Sequence, residues 1–482
     1  MAPIQKRLSI LSIKRHEVVN ALSSFLGIEI AKKALFANQR AQQTVSHNVS
    51  NANTPGYSRQ RAILESTHTA YGMGFNWQLG TGVKISDVDR IRDSFTDRQY
   101  RNENSGLGQW DIQSDILKQI EAVFNEPSDI GISSVLNQFW KGLETLSKDA
   151  SSQEARETVK ERGITLANTI NHAFTQLDDI INDINYRISI KVNEINSIAR
   201  QVSKLNLQIR QTEIGGASAA DLKDKRDLLL DQLSNLVQFE SYEDENGIFT
   251  VNVGGAILVK GPDSATMEFD TSVKNGKITW KEYGADVRIL KGELKGLMEL
   301  RDDKLNKYTD QLDKFTEAFT DEFNAIHEKG YNLDGETGIK FFEYKDGILS
   351  VNPDIVKNPS KIAAAQEQNG IPSDNRIALE LAGFRNKIIS IDGRSCTIDD
   401  YYGALVSKIG VDSQEATRAA DSQAFMVSQL NERRQMTSSV SLDEEMTKMI
   451  QYLHGYNAAS RVVTTIDEML DTVVNRMGIT GR

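Results

Sequence analysis

Between Leu177 and Ile209, positions 177, 181, 184, 188, 191, 195, 198, 202, 205 and 209 recur at alternating steps of four and three, and only Lys191 among them is charged. An apolar repeat of period 3.5 held this long leaves one solution, a long helix that buries a seam in a bundle or coiled coil. Upstream, Leu166, Ile170 and Ala173 join the row through two successive steps of four, which read as a stutter. Gly215 and Gly216 stop it, and the helical run 221–238 folds back as the second arm of an antiparallel hairpin. Seven prolines in 482 residues leave such helices uninterrupted.

Both chain ends carry the same kind of pattern. From Leu26 the positions Ile30, Ala34, Ala37, Ala41 and Val45 mark one thin helix face, which stops at "NANTPGY", 51–57, where Pro55 fixes φ and Gly56 permits a positive φ. At the other end Ser441 and Glu444 have capping-box spacing. After them Leu442, Met446, Met449, Leu453, Tyr456, Ser460, Val463, Asp467, Leu470, Val474 and Met477 step along one face to Gly478. The first 61 residues hold nine bases against Glu17 and Glu29, whereas 442–477 hold six acids against three bases. Opposite charge and matching helices imply that the ends come together, with the rest of the chain inserted between them. A seam this long opposite a helix of mostly alanine and small polar groups implies completion by neighbouring subunits and mobile ends in the monomer.

Inside, the period changes. Residues 239–283 alternate around Asn246-Gly247 and Asn275-Gly276, a hairpin signature. Helix returns over 297–327 with Tyr308, Leu312, Phe315, Phe319, Phe323 and Ile326 on one face, and 331–373 read as a second β segment. From Tyr401 the chain reads as helical, with Asp412 and Glu415 spaced as a helix start. The expected fold is mainly α with inserted β: an extension, 1–22; a terminal coiled-coil inner domain, 23–62 plus 440–482; an elongated helical domain, 63–238 plus 285–330 plus 374–439; and a small outer β domain, 239–284 plus 331–373.

No catalytic constellation emerges. The six histidines show no ligand spacing, Cys396 has no histidine near it in sequence, Gly72-Met73-Gly74 has Trp77 where a third glycine would belong, and "EDENG" at 243–247 fails calcium-loop spacing. Acid pairs such as Asp178-Asp179 and Glu444-Glu445 read as solvated helix faces. A net charge of −11 argues against nucleic acid, and no apolar run is long enough for a membrane span. "LSILSI" at 8–13 is too short and broken for a signal-peptide core. No cofactor or metal is expected, and an enzyme is disfavoured.

"NVSNANTPGYSRQ" at 48–60, after "SSFLGIEIAKKALFANQRAQQTVSH", resembles the N-terminal motif of the flagellar rod and hook axial protein family. Its Pro-Gly-Tyr-Ser-Arg-Gln ending is similar to that of the hook-filament junction members rather than the rod and hook proteins. "SLDEEMTKMIQYLHGYNAASRVVTTIDEMLDTVVNRMG" at the C-terminus, "DLKDKRDLLLDQLSNLV" and "EKGYNLDGETGIKFF" match the same members. The resemblance implies a structural protein of the bacterial flagellum that polymerises at the distal end of the hook. It implies passage through the flagellar type III export apparatus without a cleaved signal peptide, and an extracellular destination. Implied partners are further copies of itself, the hook protein, the second hook-filament junction protein and a dedicated export chaperone on the C-terminal helix. The implied assembly residues are Asn51, Asn53, Pro55, Gly56 and Tyr57 in the motif, and Leu442, Met446, Met449, Leu453, Tyr456, Val463, Leu470 and Val474 in the assembly and chaperone seam. Residues 1–22 precede the usual family start and read as an upstream extension, with a misassigned start codon near Val18 as its expected origin. Another axial protein of hook or flagellin type, or a cytoplasmic coiled-coil module dimerising through 177–209, remains the alternative.

Overall fold

The computed structural model describes residues 2–67, 70–71, 78–124, 126, 128, 131–271 and 276–472. Gly72, Gly74, Trp77, Asn275 and the seam positions Val474 and Met477 lie outside the described residues. Helix α1 (Ala2–Ser50) turns at 51–59 into an antiparallel ribbon of β1 (Gln60–Ser66), β2 (Ala70–Tyr71), β3 (Gln78–Leu79) and β4 (Val83–Arg90), in which Gln60 faces Arg90. Four helices follow: α2 (Ser94–Phe124), α3 (Ile132–Lys148), α4 (Gln153–Ile214) and α5 (Ala220–Leu236). Strands β5 (Glu240–Glu243), β6 (Phe249–Val253), β7 (Ala256–Lys260) and β8 (Asp263–Ser264) make one antiparallel sheet, and β9 (Met267–Asp270) pairs with β10 (Lys277–Trp280). Helices α6 (Glu293–Glu299) and α7 (Asn306–His327) are joined by a π-helical turn at Leu300–Leu305. Then come the hairpin β11 (Phe342–Lys345) and β12 (Ile348–Val351), α8 (Pro353–Lys357), α9 (Arg376–Gly383), the hairpin β13 (Ile389–Ile391) and β14 (Arg394–Cys396), α10 (Ile398–Ser438) and α11 (Leu442–Asp471). The fold is mainly α with small inserted sheets.

Helix α4 and its return α5 are antiparallel: Lys223 reaches Glu213 and Arg226 reaches Asn206. The buried row of α4 keeps the heptad at Leu177, Ile184, Ile188, Ile195, Ile198, Val202 and Ile209, and widens beside it at Val192, Ala199 and Asn206. Lys191, a partly covered position of that row, pairs with Glu194 and Glu293. The seam is covered within the chain by α5, α6 and strands β7–β9, so it is not free for a symmetric dimer, which removes the coiled-coil-module alternative.

All six apolar positions named for 297–327 are buried, and Phe319 and Phe323 pack against Phe139, Trp140, Phe341, Phe342 and Phe384 at centroid distances from 5.3 to 6.3 Å. Among the described residues, 239–284 and 331–373 share no strand pairing, and each packs on α4, through Met267 with Asn196 and through Leu349 with Asn171. Sheets this small lean on the rod for part of their core. The Asp412 to Glu415 spacing starts nothing: α10 is continuous from Thr397, whose hydroxyl accepts from Asp400 N, and Asp412 is buried against Tyr308.

The two chain ends form an antiparallel pair. Asn48 meets Glu445, Asn38 meets Gly455 and Gly27 meets Ile466. From α1 the small residues Ala31, Ala37, Ala41 and Val45 are buried, which brings the axes close. A Cβ on Gly455 would lie 2.5 Å from Asn38 Oδ1, and the Asn38 amide is tied back to Ala34 O at 2.8 Å. Gly455→Val is therefore expected to weaken the pair by about 1–3 kcal/mol through overpacking. Amide hydrogen exchange should show faster exchange in α11 with the α4 amides unchanged; unchanged α11 protection would refute the close contact.

Candidate functional site

The N-terminal motif is a joint at which α1, α5, α10 and α11 meet. Thr54 O accepts from Tyr57 N at 3.2 Å with Gly56 at φ 78°, a type II turn with proline and glycine at its two corners. A Cβ at Gly56 would also touch Leu228 of α5 at 3.2 Å. Asn51 caps the end of α1, its side chain donating to His47 O at 3.0 Å and accepting from Thr54 Oγ1, while Asn53 and Pro55 stand exposed.

Asn48 occupies the centre and is fully buried. Its Oδ1 accepts from Gln60 N at 2.9 Å and from the Tyr57 hydroxyl at 2.8 Å; its Nδ2 donates to Gln60 O and to Glu445 Oε2, both at 2.8 Å. The one hydroxyl proton of Tyr57 is thus committed, so His47 Nδ1, 3.0 Å away, is the donor to that oxygen. Burial, then Asp221, Asp224 and Glu445 nearby, raises the Tyr57 pKa and keeps the phenol protonated. Glu445, 1% exposed, also accepts from Arg59 Nε at 2.8 Å, and Arg59 reaches Glu444 at 2.6 Å. The Arg59 N–H closes the joint on Ser438 O, the last residue of α10.

Below this lies a buried lattice of opposite charges. Ser58 N donates to Asp224, which Arg90 also holds; Arg90 and Arg92 share Asp227; Arg101 and Arg434 share Asp231; and Arg92 pairs with Asp97. Burial would raise the Asp227 carboxyl, but Arg92, Arg101 and Arg90 bring it down to about 2. Burial raises Asp224 despite its bonds to Ser58 and Arg90. The arrangement holds these carboxylates and guanidinium groups in mutual ion pairs. It ties the terminal pair to the body.

The sequence-named residues divide into two sets. Asn51, Gly56 and Tyr57 build the joint, whereas Asn53 and Pro55 shape only its exposed turn. In α11, Met449, Tyr456, Val463 and Leu470 lie partly covered along the flank facing α1, while Leu442, Met446 and Leu453 are 53%, 50% and 43% exposed, beside Ile450 at 53%. The 442–477 row is thus no single seam. Its N-terminal half turns outward because Glu445, Tyr452 and Ala459 take the positions against α1. Asn48, Arg59 and Glu445 went unread as site residues, and the reading of Glu444-Glu445 as a solvated face fails for Glu445. The capping box is half made: Ser441 accepts from Glu444 N, but the Glu444 carboxylate goes to Arg59 instead. The basic N-terminus against the acidic C-terminus was the available signal.

Three family models match the chain. "Flagella basal body rod protein" covers 28–57, "Flagellar hook-associated protein FlgK helical domain" covers 117–342, and "Flagellar basal body rod FlgEFG protein C-terminal" covers 421–477, so the two rod-type models meet at the joint. That pairing of ends defines a flagellar axial protein. Flagellar hook-associated protein 1 of Bacillus subtilis is 34% identical over 95% of this chain and 100% of its own length, and that of Salmonella typhimurium is 28% identical over 93% and 99%. The chain belongs to the flagellar hook-associated protein 1 family, structural proteins of the bacterial flagellum. A solved flagellar hook junction protein FlgK from Burkholderia pseudomallei shares the fold, with a TM-score of 0.63 over 71% of this chain and 100% of that one at 16% identity.

Proposed function

We propose that this chain builds the junction between hook and filament as one of many identical copies, and that it acts by packing, without catalysis. The observation that carries this reading is the outward stripe Leu442, Met446, Ile450 and Leu453 on a helix whose other flank is already paired with α1. Four large apolar side chains in a row on one flank make a patch that a monomeric protein rarely leaves open. A neighbouring copy covers it in the assembled layer. Before assembly the same stripe suits an export chaperone, and passage through the type III apparatus, a place outside the cell and contacts with the hook protein and the second junction protein belong to the same reading.

Leu453→Asp separates assembly from folding. Leu453 is half-exposed, so a carboxylate there stays hydrated and the melting temperature of the purified chain should remain within a degree or two of wild type, the usual outcome for a surface substitution of about 0.5 kcal/mol or less. In the polymer every copy would bury that charge, so cells should shed filament protein into the medium and lose swimming. Antibody labelling should find the wild-type protein at the hook-filament boundary and the variant missing from it. Normal motility and labelling with Leu453→Asp would refute the reading.

A further inference from the structure

On the flank of α1 away from α11 runs a groove of about 640 Å³ between α1, β4 and the start of α5. Its floor is apolar, with Val88, Ala217 and Leu222, and its rim carries Arg40, His47 and Lys225. His47 is engaged with Tyr57 and Asp221, and Asp221, the groove's own carboxylate, is held by Gln60 and His47. Among the described residues neither Arg40 nor Lys225 forms an ion pair. The groove therefore offers an apolar floor under two uncommitted cations, and suits a helix carrying apolar knobs beside carboxylates.

The first turns of α11 have that character. Leu442, Met446, Ile450 and Leu453 run about 16 Å along one flank. Asp443 and Glu444 lie beside them, Asp443 exposed and Glu444 bound only on one side by Arg59. Stripe and groove stand at the same height on the molecule, because Asn48 of α1 bonds Glu445 of α11. They face different directions, because α1 turns Ala37, Ala41, Val45 and Asn48 toward α11 and Arg40 and His47 toward the groove. No chain can fill its own groove with its own stripe.

We propose that the groove receives the Leu442–Leu453 stripe of a second copy, each chain giving its stripe to one neighbour and its groove to the other. The contact is heterologous, so it propagates around a ring or helix rather than closing a dimer. Arg40 and Lys225 of one copy meet Asp443 and Glu444 of the next, and the apolar row displaces water from Val88, Ala217 and Leu222. This rests on the many-copy reading above and names its interface.

Cysteine cross-linking on flagella isolated from cells tests it. In a Cys396→Ser background, Gln43→Cys on the groove edge and Leu442→Cys together should give adducts of two and more copies on non-reducing gels, while either cysteine alone gives none. Adding Arg40→Glu and Lys225→Glu should cut adduct yield at least tenfold, and adding Asp443→Lys should restore part of it. Protein present on the flagella in wild-type amount without adducts, or adducts indifferent to the charge reversals, would overturn the groove and leave the junction reading standing. Wild-type protein absent from the flagella would remove both.

Discussion

Arg59→Ala will release the terminal helix pair from the body without unfolding the body. The guanidinium is largely buried, 12% exposed, and donates to Glu445, whose side chain is 1% exposed and has as its other partners Asn48 and, at 3.4 Å, Lys448. Removing one member of a buried pair costs about 3–5 kcal/mol, because the remaining charge stays desolvated and uncompensated. That cost falls on the closed joint, since Arg59 and Glu445 lie at the entrance to α11 and far in sequence from the aromatic core of α3 and α7. Hydrogen exchange should rise by two or more orders of magnitude in α11 and the second half of α1, while α4 and α7 keep wild-type protection. A double variant, Arg59→Ala with Glu445→Leu, should recover part of the loss because no carboxylate is left orphaned. A uniform rise in exchange across the whole chain would mean that joint and body unfold as one unit.

What the sequence disclosed and what it withheld follow one physical division. The α4 rod was legible because dozens of consecutive residues repeat one period, and the face from Tyr308 to Ile326 because every member is large and apolar. The turn at Pro55-Gly56 was legible because its two corners have backbone requirements that these residues alone meet well. Glu445 was not. Its burial depends on Arg59 and Asn48, nearly 400 positions away, and in its own segment it looks like one acid among three. The two β segments were each visible through turn residues such as Gly247 at φ 72° and Gly347 at φ 76°, but whether they pair with each other is a non-local fact. Local chemistry fixes a turn; only the packed rod decides where its strands end. The split of the α11 row into a covered and an open flank has the same origin. Helical spacing marks all its apolar positions alike, and the choice between flanks is made by Gly455 and Glu445 fitting against Asn38 and Asn48.

Acid will loosen the body through His327. The imidazole, 1% exposed, sits at the end of α7 beside Phe323 and Phe341; its Nδ1 contacts Ile339 O at 2.7 Å and its Nε2 accepts from Ala363 N at 2.9 Å. A carbonyl on one side and an N–H on the other fix the neutral Nδ1–H tautomer. Burial, opposed by the Ile339 bond and aided by nearby Arg156, pulls its pKa from 6.5 down to about 4. A base whose folded pKa is depressed contributes stability above its unfolded pKa of 6.5, and loses it as pH falls through 6.5 toward 4. The shift corresponds to about 3 kcal/mol, lost across that window. Carboxylates titrate at its lower edge, so the discriminating measurement is a difference. The denaturant midpoint of wild type should fall between pH 6.5 and 4 more steeply than that of His327→Gln, which cannot take up the proton. At pH 7 the variant should be weaker by about 1–3 kcal/mol for its poorer fit between the two backbone groups. The two curves should therefore converge as pH drops, and parallel curves would show that His327 keeps its proton affinity on folding.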